Sequence, residues 1–150
     1  MRRATTRVSD PQHVFINCPF DPEYQRMFDA IVFAIQDCGF QARSAKEKMD
    51  SDTPRIDKIL SIIPECRYGI HDLSRVALAE LSGLPRFNMP LELGLFIGCK
   101  TYGGKPQQSK NYLVLDEHDY QYQKSTSDIS GQDILVHQGE PEVVIRHVRD

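Results

Sequence analysis

Short apolar runs bounded by turn residues alternate along this chain with longer segments of helical apolar spacing. That alternation limits the architectures open to it. His13-Val14-Phe15-Ile16-Asn17-Cys18 reads as a short buried strand, broken by Pro19-Phe20-Asp21-Pro22. Asp21 is placed to cap a helix, with Pro22 at its first position. From Glu23 to Cys38, Met27, Phe28, Ile31, Val32 and Ile35 follow i, i+3, i+4 spacing, which predicts an amphipathic helix closed by Gly39. Phe40-Gln41-Ala42-Arg43 is a second short strand. A charged loop, Ser44–Pro54, follows; Met49 is its one apolar anchor. Ile56, Ile59, Leu60, Ile62 and Ile63 mark a second helix whose end Pro64 disturbs. Arg67–Asp72 is a third strand, and Leu73–Met89, with Gly83-Leu84-Pro85, reads as loop. A third helix runs from about Pro90 through Gly98, and Thr101–Lys110 is a glycine- and lysine-rich loop, flexible at Gly103-Gly104-Lys105. Tyr112–Asp116 and Ile134–His137 complete the strands. A last helix starts near Pro141 and is still apolar-periodic at Val148.

Strands alternating with helices predict an open parallel sheet with helices on both faces. The expected organisation is a polar lead-in, residues 1–12, and one α/β domain, residues 13–150. The chain stops in mid-helix, so the domain is expected to come from a longer protein. In such sheets ligands bind beyond the carboxyl ends of the strands. That rule gathers Asn17–Asp21, Arg43-Ser44, Asp72-Leu73-Ser74-Arg75 and the start of the third helix, Asn88–Glu92.

Composition narrows the function. The 150 residues carry a formal net charge of −3, so no basic footprint argues for nucleic acid or an anionic membrane surface. Arg2, Arg3 and Arg7 read as a frayed terminus. Cys18, Cys38, Cys66 and Cys99 lie within or next to apolar runs without metal or redox spacing, which predicts reduced thiols and a cytoplasmic location. The start of the chain has no apolar leader, and the stretch Leu91–Cys99 is too short to span a bilayer. The five histidines are scattered, so no metal is expected. The glycine-rich nucleotide-binding loops and the hydrolase serine elbow are absent.

Glu92 stands out. It lies in the apolar run Leu91-Glu92-Leu93-Gly94-Leu95-Phe96-Ile97-Gly98, where a carboxylate is costly without a partner or a task. Placed in the first turn of its helix, it would gain from the helix dipole. A fixed carboxylate suits glycosidic cleavage, whose transition state resembles an oxocarbenium ion. Glu92 would stabilise the cation, hold a ribose hydroxyl or attack C1′. The alternative is a structural Glu92 that caps its helix or pairs with Arg75 or Arg86. Asp72, at the end of a buried strand, is the second catalytic candidate, against an Asx-turn role. Asn17 and Asn88 are candidates for binding ribose hydroxyls, and Phe20 for stacking on a base, with Phe87 as another stacking candidate. Asp21, Arg43 and Ser74 share the same edge. His71 is expected to point away as a structural residue.

The order "HVFINCPFD", a helix, "CGFQAR", a charged loop, "RIDKILSIIPECRYGIHDLSR" and "RFNMPLELGLFIG" resembles the TIR domain over roughly residues 13–116. The resemblance implies a flavodoxin-like fold, with Glu92-Leu93 at the catalytic glutamate and Ser74 near the third-strand serine. For bacterial TIR-like proteins, including those of Thoeris anti-phage systems, it implies NAD as a small-molecule substrate, with no separate cofactor. The products would be nicotinamide and ADP-ribose, or a cyclic or conjugated ADP-ribose signal. It also implies self-association through the Ser44–Pro54 loop. The same segments resemble the nucleoside 2-deoxyribosyltransferases, with which Glu92-Leu93-Gly94 and the strand-end Asp72 agree. That family implies base exchange on a deoxynucleoside. The chain departs from both: Asn88-Met89 replaces the aromatic-cysteine pair of TIR domains, and the transferases' D-x-G approach is missing. A TIR-like module that only binds a nucleotide or assembles is the third possibility.

Overall fold

The structure is a computed structural model and describes residues 9–47, 50–74, 87–124, 126–129 and 131–150. Its sheet has five parallel strands: β1 (Asp10–Asn17), β2 (Gln41–Arg43), β3 (Cys66–Asp72), β4 (Asn111–Asp116) and β5 (Ile134–Val136). The strand order is β2-β1-β3-β4-β5. The α-helices are α1 (Gln25–Asp37), α2 (Arg55–Ile62), α3 (Asn88–Tyr102) and α4 (Pro141–Arg149). The expected open parallel α/β sheet is therefore present, in the flavodoxin-like order.

Alternation along each strand sorts side chains between two helical layers. Val14, Ile16 and Cys18 of the first strand segment, with Ile70 and Leu115, pack against Met27, Ile31 and Ile35 of α1 and Val144 of α4. Phe15 points the other way, to Ile59, Ile62 and Ile63 around α2 and Phe96 of α3. Leu73 and Val114 meet Met89 and Leu93 of α3. Phe15, Ile31 and Phe96 are wholly buried, each contributing roughly 1.5–3 kcal/mol through burial. Gly69 lets the third layer close on the sheet, since a Cβ there would lie 2.9 Å from the Phe96 ring and 2.7 Å from His71 Nε2.

Several boundaries differ from those read in the sequence. Strand β1 begins at Asp10, inside the expected lead-in. Pro11 cannot donate to the ladder, and the β1–β3 register shifts between Asp10 and Val14 to accommodate it. The helix expected from Glu23 opens as a 3-10 turn, Pro22–Tyr24, before α1. Pro64 likewise sits in a 3-10 turn, Ile63–Glu65, which ends α2.

Helix α3 starts two residues before Pro90 and runs past Gly98 to Tyr102. A proline is tolerated at its third position because the first N–H groups of a helix have no intrahelical acceptor. The Thr101–Lys110 segment is anchored rather than loose. Lys110 is fully buried and donates from Nζ to the carbonyls of Ile63 (2.7 Å) and Cys66, while Gln107 donates to the Pro64 carbonyl. The Ser44–Pro54 loop opens with a 3-10 turn, Ala45–Glu47, whose Ala45 is buried in the core. Met49, Gly83-Leu84-Pro85, Arg75, Arg86 and the N-terminal arginines lie outside the described residues.

Candidate functional site

Two polar clusters occupy the carboxyl edge of the sheet. They differ in whether their charges are spent on one another.

The first surrounds Asp72, at the end of β3 and wholly buried. Its Oδ2 accepts from the Tyr24 hydroxyl and from His137 Nε2 (3.0 Å), and its Oδ1 from the Ser74 N–H (2.9 Å) and hydroxyl. Burial pushes the carboxyl pKa up, but the hydrogen bonds from His137, Ser74 and Tyr24 outweigh that and hold it below its ordinary value. Asp72 is thus an ionised internal anchor that joins β3 to the turn before α1 and to the segment after β5. Both oxygens of this catalytic candidate are thus occupied by protein donors, and the Ser74 N–H bond is the Asx-turn alternative. Ser74, also buried, spends its hydroxyl on Asp72 and lies 3.0 Å from His137 Nε2. This is no nucleophilic relay: serine and aspartate meet the same ring nitrogen, and Nδ1 accepts the Gly139 N–H (3.0 Å). Nearby, Asp116 is buried with Oδ2 unpartnered, and desolvation raises its pKa. Tyr24, His137 and Asp116 were not singled out in the sequence as site residues.

The second cluster centres on Glu92. Its side chain is 5% exposed, and its Oε1 lies 3.7 Å from the guanidinium of the half-exposed Arg55 at the start of α2. Burial pushes the Glu92 pKa up to about 7, against the pull of Arg55. This reverses the expectation of a dipole-stabilised carboxylate. With α3 starting at Asn88, Glu92 is the fifth helical residue, and the dipole effect is confined to the first turn. Among the described residues its charge partner is Arg55; the Arg75 and Arg86 alternatives lie outside them.

Arg55 also stands over the Phe20 ring, 5.2 Å from its centroid. Lys46, after β2, lies 4.7 Å from the same ring and 4.6 Å from that of Phe28. Phe20 therefore carries two cations instead of offering a bare face to a base. The buried Cys18 thiol marks where the clusters meet. Its pKa is raised by burial first, with Asp72, Lys46, Glu92 and Arg55 all within electrostatic reach.

Most of the remaining predicted binding residues make contacts within the protein. Asn17 is buried, and its Nδ2 donates to His71 Nδ1 (2.9 Å) and to the Met89 carbonyl (2.8 Å). Its Nδ2 ties β1 to the first turn of α3, and so bears on the position of Glu92, while its buried Oδ1 has no partner among the described residues. His71 is structural as expected. It is wholly buried among Phe15, Phe96 and Tyr112, and desolvation lowers its pKa to about 3. Arg43 pairs with Glu47 (2.7 Å) and Glu65 (3.1 Å), which holds its guanidinium charged and occupied. Asp21 caps the Pro22–Tyr24 turn by accepting the Tyr24 N–H (3.0 Å). Asn88 is exposed in the first turn of α3, beside Phe87 at 62% exposure, one turn before Glu92 on the same side of the helix.

Among the described residues, no group of three or more His, Cys, Asp or Glu side chains is placed to hold a metal ion. Nor is any helix long and apolar enough to cross a membrane.

The fold and its edge define a flavodoxin-like α/β domain with a buried, cation-paired glutamate at the ligand-binding edge. No family model matches the sequence, and no curated protein does. Among solved structures, a diflavin flavoprotein A3 from Nostoc sp. superposes with a TM-score of 0.50 at 10% identity, over 94% of this chain and 90% of that one. At that identity the likeness concerns the fold alone.

Proposed function

We propose that the domain cleaves the N-glycosidic bond between nicotinamide and ribose in NAD, with Glu92 as the group facing the ribosyl cation. One observation carries the reading: a buried carboxyl stands at the ligand edge, held among the described residues by a loose pair with Arg55 at 3.7 Å. A structural glutamate in so apolar a helix would be expected to have its oxygens saturated, as those of Asp72 are. In the reaction the C1′–N bond breaks and its electron pair leaves with the ring. The pyridinium becomes neutral nicotinamide, so no acid is needed. The ionised Glu92 offsets the charge developing on the ribosyl group, water captures C1′, and the water proton passes to solvent.

The resemblance to TIR domains supports NAD as the substrate, and the anti-phage role rests on that resemblance. The deoxyribosyltransferase reading uses the same Glu92 and draws on Glu92-Leu93-Gly94. The test is base release from NAD and from deoxynucleosides by wild type and Glu92→Gln at matched thermal stability. Loss of Glu92 charge should slow nicotinamide release on the order of a hundredfold or more. The wild-type rate should rise with pH through about 7, as Glu92 ionises. Equal rates in the two proteins would remove Glu92 from the chemistry and leave the domain as a binding or assembly module.

A further inference from the structure

The cations at the Glu92 edge bear on what kind of molecule enters it. Arg43 is saturated by Glu47 and Glu65, and Lys58 lies 3.8 Å from Asp50. Arg55 and Lys46 are different. Arg55 is 53% exposed, and its ion-pair contact is too long for a hydrogen bond. Lys46 is exposed and forms no ion pair among the described residues. Both stand over Phe20, from two different segments, and Arg55 also stands beside Glu92. Against these two positive charges Glu92 sets at most one negative charge, since burial keeps it partly protonated near neutral pH. Asp72 adds a negative charge from within the fold, felt at the buried Cys18. The exposed charges over Phe20 are thus both positive, while the two carboxyls are buried, in a chain whose net charge is −3. A guanidinium and an ammonium that both stand over one ring, the guanidinium beside a carboxyl, suit a phosphate, which accepts from both.

We infer that Arg55 and Lys46 form a phosphate clamp, so that this edge takes phosphorylated nucleosides and discriminates against bare nucleosides. The inference rests on the nucleotide reading above and deepens it: it favours NAD over a deoxynucleoside as substrate class. A phosphate drawn onto Arg55 loosens the Arg55–Glu92 pair. Phosphate binding and the ionisation of Glu92 are therefore coupled through one guanidinium.

Calorimetric titration with AMP and with adenosine, which differ by the phosphate alone, tests the clamp without requiring turnover. Wild type should bind AMP at least tenfold more tightly than adenosine. Arg55→Gln combined with Lys46→Gln should bring the two affinities within about twofold, while thermal unfolding shows the variant folded. Glu92→Gln, which releases Arg55 from its pair, should bind AMP more tightly than wild type. NMR titration of the Glu92 carboxyl should show its pKa higher with pyrophosphate bound than without. Equal affinity for AMP and adenosine, no AMP binding at millimolar concentration, or an AMP preference unchanged in the double variant would each overturn the clamp. An AMP preference in a protein that releases no base from any nucleotide would uphold the clamp and reject the glycosidase reading.

Discussion

Replacing Asp72 by asparagine separates an anchor from a catalyst. In the folded protein the donors to its two oxygens are the Tyr24 and Ser74 hydroxyls, the Ser74 N–H and His137 Nε2. An amide offers one oxygen in place of two and turns an NH2 group toward two of these donors, of which only a hydroxyl can rotate to accept. The Ser74 N–H and His137 cannot reorient: one is main chain, and the other is fixed through Nδ1 by Gly139. One or two buried donors are then orphaned at about 1–3 kcal/mol each, so Asp72→Asn should cost roughly 2–5 kcal/mol. For a chain of this length that lowers the midpoint of thermal unfolding by roughly 5–15 °C. The pH dependence carries a sign. The folded carboxyl titrates below its ordinary value of 3.8, so ionised Asp72 stabilises the fold at pH above 3.8, and that contribution is lost as the pH falls below it. Urea unfolding of both proteins at pH 7, 5 and 3 should show a gap that holds between pH 7 and 5 and narrows at pH 3. A variant within about 0.5 kcal/mol of wild type at pH 7 would show that the network does not hold the fold together. A variant of full stability that lost nicotinamide release would return Asp72 to the chemistry.

Three further outcomes follow from the packing. Gly69→Ala pushes a methyl into the Phe96 ring and His71 and should destabilise by about 1–3 kcal/mol in urea unfolding. Gly94→Ala and Gly98→Ala place their methyls in open space on α3 and should each raise stability by up to about 1 kcal/mol. Ellman's reagent at pH 8 should modify exposed Cys38 quickly, while Cys18 and Cys66 wait for unfolding. Both of those are buried, and burial lifts the Cys66 thiol to about 12.

The fold was legible because its signals are local. Ile16 and Leu115 belong to apolar runs short enough for buried strands, and Met27, Ile31 and Ile35 mark one face of a helix. Glu92 was legible for the same reason, as a charge in an apolar helix. What escaped depends on pairs far apart in the chain. Asp72 meets Tyr24 and His137, 48 and 65 residues away, and no spacing rule links those positions. Arg43, Asn17 and Ser74 occupy the edge that the ligand rule selects. That rule places residues without saying which are spent on one another.

The two clusters at this edge divide the work of a site in a physically necessary way. Asp72 is saturated, so it holds β3, the turn before α1 and the segment after β5 together, and its charge is unavailable to a ligand. Glu92 sits on a helix whose first turn Asn17 ties to β1 through the Met89 carbonyl, so the carboxyl is fixed in place without being hydrogen-bonded into silence. A carboxylate that must stabilise a developing cation needs both conditions, a rigid support and an unspent charge. Of the two buried acids first considered, only Glu92 meets them. Its partner among the described residues, Arg55, is exposed enough to leave when an anion arrives. The chemistry proposed here therefore turns on the least satisfied carboxyl of the pair, and the stability of the edge on the most satisfied one.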